Sequence, residues 1–160
     1  MKKLLSLALT FMMAVTLLTG CGSDPILEDL EQYLNVDMNE VNGKYDIVKT
    51  ESGNLANMES VDELLSSVND TILPAIYEAI DLLAAVEPET AEVKTIKEKY
   101  ESTFHAYKEG FEMFATALET EDENLLDQAN TKIEEGLDLL NDYNAALEEL
   151  AAEYDMEIQY

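Results

Sequence analysis

The sequence predicts an all-α fold, an antiparallel up-down four-helix bundle over residues 25–160. Three observations predict it. Apolar residues recur at alternating spacings of three and four along four long stretches, the period of a one-sided helix. Two to eight residues rich in Gly, Pro, Ser, Asn and acids separate the stretches, too few to join anything but antiparallel neighbours. No segment shows the period of two that a half-buried strand requires.

Asp24-Pro25 opens the first helix with an N-cap and a proline at the first helical position. Its stripe is Leu27, Leu30, Leu34, Met38, Val41, Tyr45 and Val48. Asn42-Gly43 is the point where continuity is least expected, and Ser52-Gly53-Asn54 ends the helix. Ser60 and Glu63 form a capping box for the second helix, whose stripe is Val61, Leu64, Val68, Ile72, Ile76, Ala79, Leu83 and Val86. Pro74 is expected to kink it, because proline lacks the N–H and crowds the preceding turn. Glu87-Pro88 ends it.

The third helix runs from about Glu89 to Glu119 on Val93, Ile96, Tyr100, Phe104, Tyr107, Phe111, Phe114 and Leu118. It would reach roughly 45 Å. Thr120 to Glu123 make a polar turn with Asp122 as the next N-cap. The fourth stripe is Leu126, Ala129, Ile133, Leu137, Leu140, Tyr143, Leu147, Leu150 and Tyr154, and the tail Asp155 to Tyr160 is expected to fray. A near-seven-residue repeat favours shallow, left-handed crossing. Two long hairpins packed at an angle are the alternative, with Pro74 as the cause.

Ahead of the helices, Lys2 and Lys3 precede an uncharged apolar run from Leu4 to Leu18. These are the charged and apolar regions of a secretory signal. The run is shorter than the roughly 20 residues that span a bilayer. It leads into Leu17-Leu18-Thr19-Gly20-Cys21, and Cys21 is the only cysteine. On these residues the segment resembles the lipobox of bacterial lipoproteins. The resemblance implies a diacylglycerol on the Cys21 thiol, palmitate-type acylation and cleavage before Cys21. Residues 1–20 would then be a removed signal peptide, 21–24 a lipidated cysteine with a short tether, and 25–160 the helical domain. An ordinary signal peptide with an incidental cysteine is the alternative.

Gly22 does not mark inner-membrane retention in a two-membrane cell. The lack of arginine and the acidic helical part resemble small surface lipoproteins of Gram-positive bacteria. Phe111 to Leu150, with Ala117-Leu118, Asp127, Ala129-Asn130, Gly136 and Leu147-Glu148-Glu149-Leu150, is similar to helical lipoproteins of that group. The implied location is the outer face of the cell membrane. The group supplies no functional residue beyond Cys21.

Thirty-five acids against nine lysines give a net charge of −26, and removing residues 1–20, with two lysines and no acid, takes it to −28. Such a chain is no nucleic-acid binder, because phosphate contacts need Lys and Arg. Anionic headgroups repel it too. An apolar fraction of 47% in regular spacing argues against disorder.

Gly22 to Asp24 extend at most about 10 Å, so the bundle would stand directly on the membrane. The turns near Gly53 and Asp122 would lie at the far end, carrying Glu51, Glu59, Asp62, Glu63, Glu119, Glu121, Asp122 and Glu123. Glu119, Glu121, Asp122 and Glu123 are the candidate surface for a basic protein partner. Acids at helix N-termini also favour the macrodipole and keep a surface soluble. A divalent cation is the other use for them. Asn35, Asp37 and Asn39 have the alternation of an EF-hand, but Glu40 stands where glycine is required.

His105 is the only histidine, so a di-metal site built from two Glu-x-x-His pairs is excluded. It is expected on the flank of the third helix, paired with Glu101. Tyr100, Phe104, Tyr107, Phe111 and Phe114 form either core or an apolar ligand pocket. Gly110 and Gly136 either allow close helix contact or are neutral. No catalytic triad, phosphate loop or zinc spacing is present. The expected protein is therefore a non-enzymatic, lipid-anchored accessory or immunity factor with a protein partner and no cofactor or metal. The alternative is a lipoprotein that binds a ligand or cation through the aromatic stripe or the acidic turns.

Overall fold

The computed structural model describes residues 14–15, 24–156 and 158–159. The fold is all-α, and among the described residues six α-helices make four rods. The first rod is α1 (Pro25–Gln32), a π-helical turn (Tyr33–Asp37) and α2 (Met38–Asn54), and a short 3₁₀ turn (Leu55–Asn57) finishes it. The second is α3 (Val61–Ser67), a second π-helical turn (Val68–Ile72) and α4 (Leu73–Ala85). The third is α5 (Ala91–Thr120) and the fourth α6 (Glu123–Glu153). Two-residue strands β1 (Ala14–Val15) and β2 (Ile158–Gln159) pair antiparallel, so part of the tail expected to fray is held by backbone pairing.

The helix starts obey the sequence. The Asp24 side chain accepts from the Ile26 N–H, and the capping box of Ser60 and Glu63 is complete. Asp122 accepts from the N–H groups of Asn124 and Leu125. Left-handed residues close α5 and α6, Glu121 and Asp155, both at φ 54°. After each, the next amide donates five residues back, Asp122 to Ala117 and Met156 to Ala151, which satisfies carbonyls at the helix end.

Two expectations about breaks need correction. Asn42-Gly43 does not interrupt the first rod; α2 runs straight through it. The irregularity falls at Tyr33–Asp37, where one extra residue per turn buries both Tyr33 and Leu34 and turns Val36 outward to 57% exposure. The Asn39 side chain donates to the Asn35 carbonyl at 2.6 Å, and Gln32 bridges to Asp37 at 3.0 Å. In the second rod, Pro74 lies within the first two residues of α4, where its missing N–H costs little. The break sits one turn earlier, at Val68–Ile72. Val61 leaves the predicted stripe and is exposed.

Gly43 lies on the exposed side of α2 with open space where a Cβ would stand. Gly43→Ala is therefore expected to stabilise the domain by about 0.5–1 kcal/mol, because it removes backbone freedom from the unfolded chain without a clash. Thermal and urea unfolding would show it.

α5 and α6 pack most closely, and in opposite directions. Gly110 meets Ile133 and Ala129, Gly136 meets Tyr107, and Tyr100 stacks on Tyr143. A Cβ on Gly110 would come 2.6 Å from Ile133 Cγ1 and 3.0 Å from the Ile133 backbone nitrogen. One on Gly136 would come 2.6 Å from the Tyr107 ring. Close contact, not neutrality, is thus the role of both glycines.

The first rod meets the α5–α6 hairpin through large rings. Tyr45 lies edge-on to Phe104, with centroids 6.5 Å apart, and Tyr100 lies 5.0 Å from Phe104 and 4.3 Å from Tyr143. Small residues bring two helices together, and tyrosines fill the wider seam beside them.

Candidate functional site

The aromatic stripe is core. Tyr100, Phe104, Tyr107, Phe111 and Phe114 are all buried, and Tyr33, Tyr45 and Tyr143 join them from other rods. Burial pushes the hydroxyl of Tyr45 up to about 12 and raises those of Tyr33, Tyr100 and Tyr107 well above the usual phenol range, so all four stay neutral. Tyr33, which the spacing of the stripe missed, borders Tyr143 and reaches the core because the π-helical turn rotates it inward. Asn144 is buried on α6, and neither end of its amide has a hydrogen-bond partner among the described residues.

His105 is exposed, and Glu101 turns to Lys97 at 3.1 Å instead of pairing with it. The expected His105–Glu101 pair is therefore not made. Among the described residues, no group of three or more His, Cys, Asp or Glu is placed to hold a metal ion.

The acids around the turns near Gly53 and Asp122 divide into two sets. Three have structural work. Asp122 caps α6, and Glu63 accepts from the N–H groups of Glu59 and Ser60, which hold its carboxyl below the usual range. Glu51 accepts from Ser67 at 3.4 Å. Glu59, Asp62, Glu119, Glu121 and Glu123 are exposed. Of the predicted partner surface, Glu119, Glu121 and Glu123 present carboxylates to solvent, whereas Asp122 has a structural task as well.

The sequence reading passed over Asp29. It is buried on α1, with 8% of its surface exposed, and it accepts from the Glu89 N–H at 3.0 Å, the Thr90 N–H at 2.8 Å and the Thr90 hydroxyl at 2.6 Å. Thr90, the cap residue of α5, makes no side-chain cap bond itself, so Asp29 caps α5 from another rod. Burial raises the Asp29 carboxyl, but the Thr90 hydroxyl, the two backbone donors and Lys94 outweigh it and leave the pKa lowered. A lowered pKa means that the clasp contributes stability above the unfolded value near 4, and loses it as pH falls through the folded value. The stability gap between the wild type and Asp29→Asn is therefore expected to shrink below about pH 4. Urea titrations at pH 6 and pH 3 would measure it.

Beside Asp29 lies a cleft of about 570 Å³, lined by Pro25, Glu28, Gln32 and Asp37 on the first rod and by Leu82, Ala85, Val86, Glu87 and Glu89. Acids stand on both walls, Glu28 and Asp37 on one and Glu87 and Glu89 on the other, and Leu82, Ala85 and Val86 form its apolar part. A shallower groove of about 290 Å³ lies on the α5–α6 hairpin, floored by Met113.

Cys21 and the rest of the lipobox lie outside the described residues. No helix among the described residues is long and apolar enough to cross a membrane. Comparison with protein-family models, curated proteins and solved structures finds no match.

Proposed function

We propose that this chain is a bacterial surface lipoprotein, an acylated, non-enzymatic helical bundle that binds another protein outside the cell membrane. The observation that carries the reading is the sequence Leu17 to Cys21 placed three residues before the Asp24 cap of α1. Residues 1–20 are removed, and β1 with them, so in the mature chain β2 loses its partner and the tail after α6 is released. Cys21 carries the lipid, and a domain that begins at Pro25 has almost no stalk. The diacylglycerol holds it firmly, which a single acyl chain would not.

The rods form an up-down antiparallel bundle in this reading. Opposed contacts along α5 and α6 support it. So do Lys44 paired with Glu78, Ser67 with Glu51, and Asp29 with Thr90, which match rising positions on the first rod to falling ones on the second or to the turn after it. The Tyr77 hydroxyl donates to Glu112 at 2.8 Å and ties α4 to α5. About ten residues back along one rod and ten forward along the other lead to the same end, where α3 and the Asp122 turn gather their acids. With the lipid at the opposite end, that acidic end faces outward and suits a basic protein.

Glu119→Gln, Glu121→Gln, Asp122→Asn and Glu123→Gln combined keep the α6 cap, since Asn caps as well as Asp. The variant should retain less partner in pull-downs from cells and lose most of the salt sensitivity of capture. Unchanged capture would reject this surface. The ligand-binding alternative has less support, because its aromatic stripe is packed among other rings.

A further inference from the structure

We infer that α1 is a latched arm that turns about the π-helical segment Tyr33–Asp37, between a position clasped to α5 and one closed over the cleft beside α4. Three independent features place a catch, a hinge and free space around this one short helix.

The catch is Asp29. One buried carboxylate holds two backbone amides and a hydroxyl at the start of α5, sixty residues away in sequence. The hinge is the π-helical turn, where regular hydrogen bonding is reset, the Asn39 side chain takes the Asn35 carbonyl, and the side chains of Gln32 and Asp37 bond across the turn. The free space is the cleft, which separates α1 from Leu82 and Ala85 at the end of α4. Within α1 Asp29 and Leu30 are buried and Ile26 packs partly buried against the core, so the catch shares the hold on the helix with two apolar side chains. A helix with few buried contacts opens at lower cost than the core.

The arm is a property of the folded chain and stands without the anchor. Its consequence at a membrane rests on the lipoprotein reading. There the tether joins the domain through α1, so release of the catch changes how the bundle stands on the lipid.

Hydrogen exchange by mass spectrometry on the full chain tests the arm. Asp29→Ala should speed exchange at residues 26–37 and 91–94 by about tenfold or more, and leave 100–118 and 129–150 nearly unchanged. Glu28→Ala, an exposed change on the same helix, should move neither. Asp29→Asn keeps one acceptor and should move the same peptides by less, which covers the case that alanine unfolds the chain. In a Cys21→Ser background, cysteines at Glu28 and Ala85, on either side of the cleft, should cross-link faster once Asp29 is removed. A uniform rise in exchange, no rise over 26–37, or an unchanged cross-linking rate would overturn the arm. Loss of acylation at Cys21 would leave all three readouts as they are and count only against the anchor.

Discussion

Phe104→Ala should cost about 3–5 kcal/mol, the range for deleting a fully buried ring. Phe104 has no exposed surface and lies within 6.5 Å, ring centroid to ring centroid, of both Tyr45 and Tyr100. Tyr45 comes from the first rod and Tyr100 from α5 itself, so the ring fills the seam between two rods and its loss leaves a cavity there. The size of the loss also separates two readings of the aromatic stripe. A residue that lines an apolar ligand site has spare volume beside it and loses little when truncated. A residue wedged between rods loses the full transfer and cavity cost. Urea unfolding of the wild type and variant decides between them; a loss under about 1 kcal/mol would restore the pocket reading.

Gly136→Leu should be comparably damaging, and for the opposite reason. The first added carbon already falls 2.6 Å from Cδ1 and 2.7 Å from Cε1 of Tyr107, a buried ring that cannot swing into solvent. Either the ring leaves its rotamer or α6 moves away from α5, and overpacking of this kind costs about 1–3 kcal/mol or more. Gly136→Ala isolates the conflict. Helix propensity favours alanine by about 1 kcal/mol, and the clash with Tyr107 opposes it. We expect the clash to win, since the near atoms are ring carbons rather than the loose end of a chain. Gly43→Ala gains the propensity without the clash, so the two substitutions should shift the melting temperature in opposite directions.

Much of the fold was legible from period and punctuation. The apolar stripe of α5 and the caps at Asp24, Ser60 and Asp122 are local patterns, decided within a few residues. Other features depend on distant partners. Nothing in Leu30-Glu31-Gln32-Tyr33-Leu34 announces a π-helical turn, because the extra residue is stabilised by burying Tyr33 beside Tyr143, more than a hundred positions on. Asn42-Gly43 carries a break signal, yet α2 continues because Val41 and Tyr45 on either side are anchored in the core. Asp29 looked like one more surface acid in a chain full of them. Its burial depends on the Glu89-Thr90 amides needing a cap, which no spacing rule reveals. The acids of the turns near Gly53 and Asp122 were visible as composition, whereas the division between acids that cap helices and acids that face solvent needed coordinates.

The most direct test of the account is mass spectrometry of the protein recovered from the membrane fraction of cells that express it. The account predicts a chain that begins at Cys21, heavier by a diacylglycerol-linked modification on that residue, and released into the soluble fraction by Cys21→Ser. A chain that still carries residues 1–20, or one that starts at Cys21 with a free thiol, would contradict it.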